Sequence, residues 1–129
     1  MKPFTAVVLM LLSTLSMGHS MAPVFEVEQA FTETHYKSYF LTNDYDFPAV
    51  FSVQVLNPDW TEAENWEVKK SEYKLLPTSE REVSFKFKAE KDNRKLRVCS
   101  TLKEKGKNNE IPDISSRVCS RLIIRGLGQ

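Results

Sequence analysis

Few residues in this 129-residue chain have side chains suited to catalysis or metal binding: two cysteines and two histidines. Cys99 and Cys119 each occupy the tetrapeptide Arg-Val-Cys-Ser, once in KLRVCSTLKEK and again in SSRVCSRLIIRG. His35 lies in ETHYK, and His19 falls in a stretch read below as a leader. Structural zinc takes four ligands, and His35 would be only a third. A thioredoxin-like site wants Cys-x-x-Cys at a helix start, which the chain lacks. An exported chain with two cysteines has one intramolecular bridge open to it, and that is the leading reading. Free thiols or an intermolecular bond are the weaker alternatives, and metal or redox chemistry the weakest.

Other chemistry is equally sparse. A lone histidine at a strand start reads as a surface residue, and no Asp or Glu pair stands out for acid–base work. There is no Gly-rich phosphate loop, no Gly-x-Ser-x-Gly turn and no metal-ligand spacing. The expectation is a protein that is not an enzyme, with no catalytic, cofactor-binding or metal-binding residues.

The cysteines need strands to bring them together. In KLRVCSTLK, Leu96, Val98, Ser100 and Leu102 share one face, and Cys99 shares the other with Arg97 and Thr101. In SSRVCSRLIIR, Val118, Ser120, Leu122 and Ile124 share a face, with Cys119 opposite them beside Arg117 and Arg121. Antiparallel pairing of Cys99 with Cys119 sets Leu96 against Leu122 and Val98 against Ser120, so the apolar sets meet. It also sets Arg97 against Arg121, an unfavourable like-charge contact. A bridge closing a loop of this size stabilises by about 3 kcal/mol.

The first 20 residues read as a signal peptide: Lys2, then an uncharged apolar run from Phe4 to Leu15, then small residues. Gly18-His19-Ser20 before Met21 fits the small-x-small cleavage rule. The run is short for a bilayer span, so an uncleaved anchor is the lesser alternative. The remainder, 21–129, is one domain in length. Lys2 is the leader's only charged residue, so 17 basic residues (18 minus 1) face 17 acidic ones, and the mature charge is zero. That balance argues against nucleic-acid binding through bulk electrostatics. No second apolar run implies stable membrane insertion after cleavage.

The rest of the chain alternates as strands do. VFEVEQAF predicts a strand with Phe25, Val27 and Phe31 toward the core. YKSYFLT follows, then turn chemistry in NDYDFP, then AVFSVQVL with Phe51, Val53 and Val55 on one face. NPDWTEAEN is a loop. WEVKKSEYKLLPTSEREVSFKFKAE holds two segments broken at Leu76-Pro77-Thr78-Ser79, the second burying Val83, Phe85 and Phe87. KDN is a turn, and a polar loop runs from Gly106 to Asp113. Short strands divided by turns predict an all-β, antiparallel β-sandwich of the immunoglobulin-like kind. Trp60 and Trp66 either close one end of it or form a contact patch. One face of the last strand cannot bury Leu122, Ile123 and Ile124 together. Either a loop or the N-terminal segment covers that strand, or it is an edge that accepts a partner strand.

The order VFEV, YFLTND, PAVFSVQV, NPDW and WEVKKSEYKLLPTSEREVSFKF resembles the first domain of periplasmic pilus chaperones, the PapD-like family. Trp66, Val68, Leu75, Leu76, Pro77, Val83 and Phe85 echo a family pattern, and nearly the whole mature chain is covered. Some members of the family join the last two strands of this domain by a disulfide, as Cys99 and Cys119 would. The departures are equally specific. Family chaperones have two domains, and here only Gly126 to Gln129 would follow the first. A basic pair in their cleft anchors a subunit's carboxylate, yet the first strand carries Glu26 and Glu28 where an arginine is expected. The second anchor is a lysine near the end of the domain; Arg121 or Arg125 is at best its replacement, and the role is not carried across to either.

The resemblance implies a small periplasmic protein, or a secreted one, that binds an exported subunit of a pilus or secretion system by β-strand addition. Val118, Leu122 and Ile124 would be its partner-binding residues, and Leu122→Lys or Ile124→Lys would abolish capture while leaving the fold intact. The alternative is a structural or adhesive component of a pilus or envelope complex, with the last strand internal.

Overall fold

The computed structural model describes residues 18–105 and 116–128. Nine strands lie among them: β1 (His19–Ala22), β2 (Phe25–Gln29), β3 (Thr34–Asn43), β4 (Ala49–Leu56), β5 (Trp66–Val68), β6 (Glu72–Leu75), β7 (Glu80–Lys88), β8 (Arg94–Lys105) and β9 (Arg117–Arg125). They form two sheets, a four-stranded one in the order β1-β3-β7-β5 and a five-stranded one in the order β2-β9-β8-β4-β6. The expected leader (1–20) lies outside the described residues up to Met17, as does the expected loop from Gly106 to Asp113.

Alternation puts the core where the sequence predicts it along most strands. Phe51, Val53 and Val55 of β4 and Val83, Phe85 and Phe87 of β7 are buried between the sheets, together with Tyr39 and Leu41 of β3, a strand whose inner face the sequence left unassigned. Leu96, Val98 and Leu102 of β8 join them, with Leu122 and Ile124 of β9. Phe85 is central, edge-on to Tyr39 at 5.9 Å between centroids and stacked with Phe87 at 6.1 Å. Burying each such ring stabilises by about 1.5–3 kcal/mol. Asn43, fully buried at the end of β3, ties the layers together. Its side-chain amide donates to the carbonyls of Phe47 (3.1 Å) and Leu75 (3.0 Å), and its oxygen accepts from the Tyr45 N–H at 2.9 Å.

Three features depart from the sequence reading. The segment before Leu76 is two strands rather than one: β5 pairs with β7, whereas β6 crosses to pair with β4. One strand pair is parallel, because the chain leaves β1 beside β3, crosses at the cis Ala22-Pro23 peptide, and runs as β2 alongside β9. The phase of β2 is also reversed. Phe25 (52% exposed) and Val27 (42%) face solvent, and Phe31 is more exposed still.

The reversal in β2 has an electrostatic cause. Glu26 and Glu28 lie beside Leu122 and Ile124 of β9 and reach across the sandwich to β3. There Glu28 meets His35 Nε2 and Lys37 Nζ, both at 2.8 Å, and Glu26 lies 3.7 Å from Lys37. Burial works against ionising Glu28, but the hydrogen bonds from Lys37 and His35 outweigh it and hold the carboxyl below its usual range. Burial, reinforced by the charges of Glu28 and Glu26, pushes the neighbouring Tyr39 phenol up. Four polar side chains therefore occupy the mouth of the core, where an apolar set was expected.

β1 reaches back into the expected leader. His19 and Ser20 pair with Asn43 and Thr42. The His19 imidazole is buried 4.6 Å from the Phe51 ring, with Nε2 3.1 Å from the Ser100 carbonyl. Burial lowers its pKa, against the opposing effects of that carbonyl and Asp44.

Candidate functional site: the two halves of the last strand

β9 pairs antiparallel with β8 in the register that the alternation implies: Leu96 with Leu122, Arg97 with Arg121, Val98 with Ser120 and Cys99 with Cys119. The cysteines are bonded, with their Cα atoms 4.0 Å apart. So close an approach fits a non-hydrogen-bonded pair, in which both residues turn their backbone groups away from each other. The Arg121 N–H donates to the Val24 carbonyl at 2.9 Å, so odd-numbered residues of β9 direct their polar backbone toward β2 and even-numbered ones toward β8.

β2 covers only part of that side. Its register runs from Phe25 beside Arg121 to Gln29 beside Arg125. Among the described residues, no strand pairs with Arg117–Ser120 on the side away from β8. The N–H and C=O groups of Arg117 and Cys119 point to that open side. The chain passes nearby at Pro23, whose carbonyl accepts from Ser120 Oγ at 2.6 Å, before β2 takes up its place. Among the described residues, the last strand is thus flanked on both sides along its second half and by β8 alone along its first.

The expected partner-binding residues divide along the same line. Leu122 and Ile124 are fully buried core residues, and Ile123 is the half-buried member of the run, beside Val27. Lysine at 122 or 124 would place a charge in the core, so these substitutions would unfold the domain rather than spare it. Val118 faces the same way as Leu122 but lies in the open half and is partly exposed.

Outside the sheet, the same stretch carries arginines. Arg97, Arg117 and Arg121 flank the disulfide, and Trp60 (51% exposed) lies against them, 4.1 Å from the Arg97 guanidinium and 5.9 Å from that of Arg117. Arg121 stands 5.4 Å over the Phe25 ring. Trp60 adopts φ 72° in the turn after Asn57, an uncommon conformation for a bulky residue, and Arg97 Nε donates to the Pro58 carbonyl at 3.2 Å. Trp66 behaves differently, packing against the core and donating its indole N–H to the Ala63 carbonyl at 2.9 Å. The two tryptophans thus take one role each. The exposed one follows Pro58-Asp59 in a turn; that context was the available signal for it.

Among the described residues, no group of three or more His, Cys, Asp or Glu side chains is arranged to hold a metal ion. No helix there is long and apolar enough to cross a membrane.

No protein-family model matches the chain, and no curated protein matches it in sequence. Solved structures do. The E. coli chaperone DraB matches with TM-score 0.67 at 12% identity, over 87% of this chain and 56% of that one. A structure of the Salmonella enterica SafA pilin in complex with the SafB chaperone matches with TM-score 0.65 at 15% identity, over 88% and 57%. A PapD-like domain of human CEP192 matches with TM-score 0.62 at 12% identity, over 88% of both chains. The chain spans less than three fifths of each of these two bacterial chains. At such identities the likeness is one of fold, and the fold is that of an immunoglobulin-like PapD domain, the first domain of the pilus chaperones.

Proposed function

We propose that this chain is an exported, chaperone-like protein that works in the periplasm and holds a pilin-like or secretion-system subunit by adding a strand at β9. The observation that carries the reading is the open side of Arg117–Ser120, where backbone donors and acceptors stand beside the partly exposed Val118. Backbone bonds supply affinity in strand addition, and alternate side chains supply specificity. The pilin complex of SafB is the precedent for a subunit partner. Leu122 and Ile124 contribute by fixing β9 in the sandwich, and Val118 is the side chain a partner meets. The leader would be removed ahead of His19, because His19 and Ser20 belong to β1, and Ser16-Met17-Gly18 also satisfies the small-x-small rule.

Val118→Lys tests the reading. Its side chain lies at the open edge, so thermal unfolding should change little, while capture of a co-expressed pilin-like subunit should be lost. Undiminished capture would remove β9 from the mechanism. A second reading, a structural component of an envelope complex, draws on the covered second half of β9. It predicts that Arg117 and Cys119 amides exchange as slowly as those of Val118 and Ser120 in the isolated chain.

A further inference from the structure

Three guanidinium groups crowd the outer face beside the open edge, and among the described residues none of them has a carboxylate partner. The ion pairs of the described residues involve Lys37, Lys86, Arg94, Lys103 and His35, not Arg97, Arg117 or Arg121. Arg97 and Arg121 are directly opposed across β8 and β9, and like charges so placed destabilise a sheet. Arg97 and Arg117 both lie over the Trp60 ring, 4.1 and 5.9 Å from its centroid, and Trp60 itself has φ 72°, an uncommon backbone conformation for a bulky residue. Arginine stacked on an aromatic ring keeps its fork of donors free for carboxylate oxygens. The molecule as a whole is nearly neutral, so this positive cluster is local.

We propose that Arg117 and Arg121 select the partner strand by its charge pattern: carboxylate side chains at the outward positions, alternating with an apolar side chain inward. The inference rests on the strand-addition reading and adds the chemistry of the strand that is accepted. A strand added beside Arg117–Ser120 sets one outward residue opposite Arg117 and the next opposite Cys119, with the residue between them facing inward beside Val118. The outward residue opposite Cys119 has Arg117 and Arg121 as diagonal neighbours, about 7–8 Å away and within reach of long side chains. An acidic–apolar–acidic triplet meets all three positions. A basic strand would add to a repulsion already present, so the cluster rejects as well as attracts.

The test uses the full exported chain and three synthetic nine-residue peptides with valine at alternate positions. The other positions are all glutamate, all glutamine or all lysine. Backbone amide shifts of Arg117 and Cys119 report binding at the edge. The glutamate peptide should bind about tenfold more tightly than the glutamine one at low salt, with the advantage shrinking as salt is added. Arg117→Glu, an exposed substitution that should leave the fold intact, should turn the preference toward the lysine peptide. Equal binding of glutamate and glutamine peptides, or an unchanged preference in Arg117→Glu, would overturn charge selection while leaving strand addition standing. Amide shifts unmoved by all three peptides would overturn strand addition, and charge selection with it.

Discussion

β7 and β2 are built on the same alternation of apolar and charged residues, yet the sandwich uses them in opposite senses. β7 lies inside its sheet, flanked by β3 and β5, and turns Val83, Phe85 and Phe87 into the core. β2 lies at the rim, turns Phe25 and Val27 to solvent, and sends Glu26 and Glu28 inward to Lys37 and His35. Period two specifies a strand but not which face is inside. At an interior position the apolar face is decided by burial on both flanks. At a rim, a few ion pairs suffice to decide it, and inward charges also discourage unwanted edge pairing.

Three substitutions separate the two regimes. Phe85→Ala on β7 should destabilise by about 3–5 kcal/mol, read from the midpoint of chemical unfolding, because it opens a cavity under Tyr39 and Phe87. A loss below 1 kcal/mol would mean that β7 is no better buried than β2. Glu28→Gln should cost about 1 kcal/mol at neutral pH, since it removes the charge facing Lys37 and His35. The Glu28 pKa is depressed on folding, so its contribution is present above the ordinary carboxylate value and is lost as pH falls through the lower, folded one. Glu28→Gln should therefore flatten the acid limb of the stability profile, and an unaltered limb would mean the ion pairs do not hold β2. Phe25→Ser should change stability by less than about 0.5 kcal/mol, the range of an ordinary surface position. A larger effect would show that β2 is anchored through its outward face after all.

Much of the architecture was legible because it follows from strong, local signals. The register of β8 and β9 emerged from two apolar sets and two cysteines, and AVFSVQVL forms β4 with its predicted face inward. What could not be read was set by distant partners. Nothing in WEVKKSEYKL announces that its two ends join different sheets, because that depends on where β4 and β7 lie. Nothing in VFEVEQ reveals Lys37 and His35 across the core. The N-terminal segment was one of the covers foreseen for β9, but how far it reaches was not legible, since β2 begins about 90 residues earlier in the chain and pairs with only half of it. Val118 is the one expected contact residue that remains accessible.

The bond between Cys99 and Cys119 also bears on how β9 can fail. Three consecutive apolar residues make this strand tolerant of slippage: shifted by one residue along β8, it would still present Ile123 to the core. A one-residue slip exchanges every side chain between faces, so it would turn the arginines inward and carry the edge with them. The covalent link forbids that error, but only once it has formed. Thiols stay reduced in the cytosol and oxidise after export. In a reducing compartment the chain would therefore hold its last strand by packing alone, free to sample the wrong alignment.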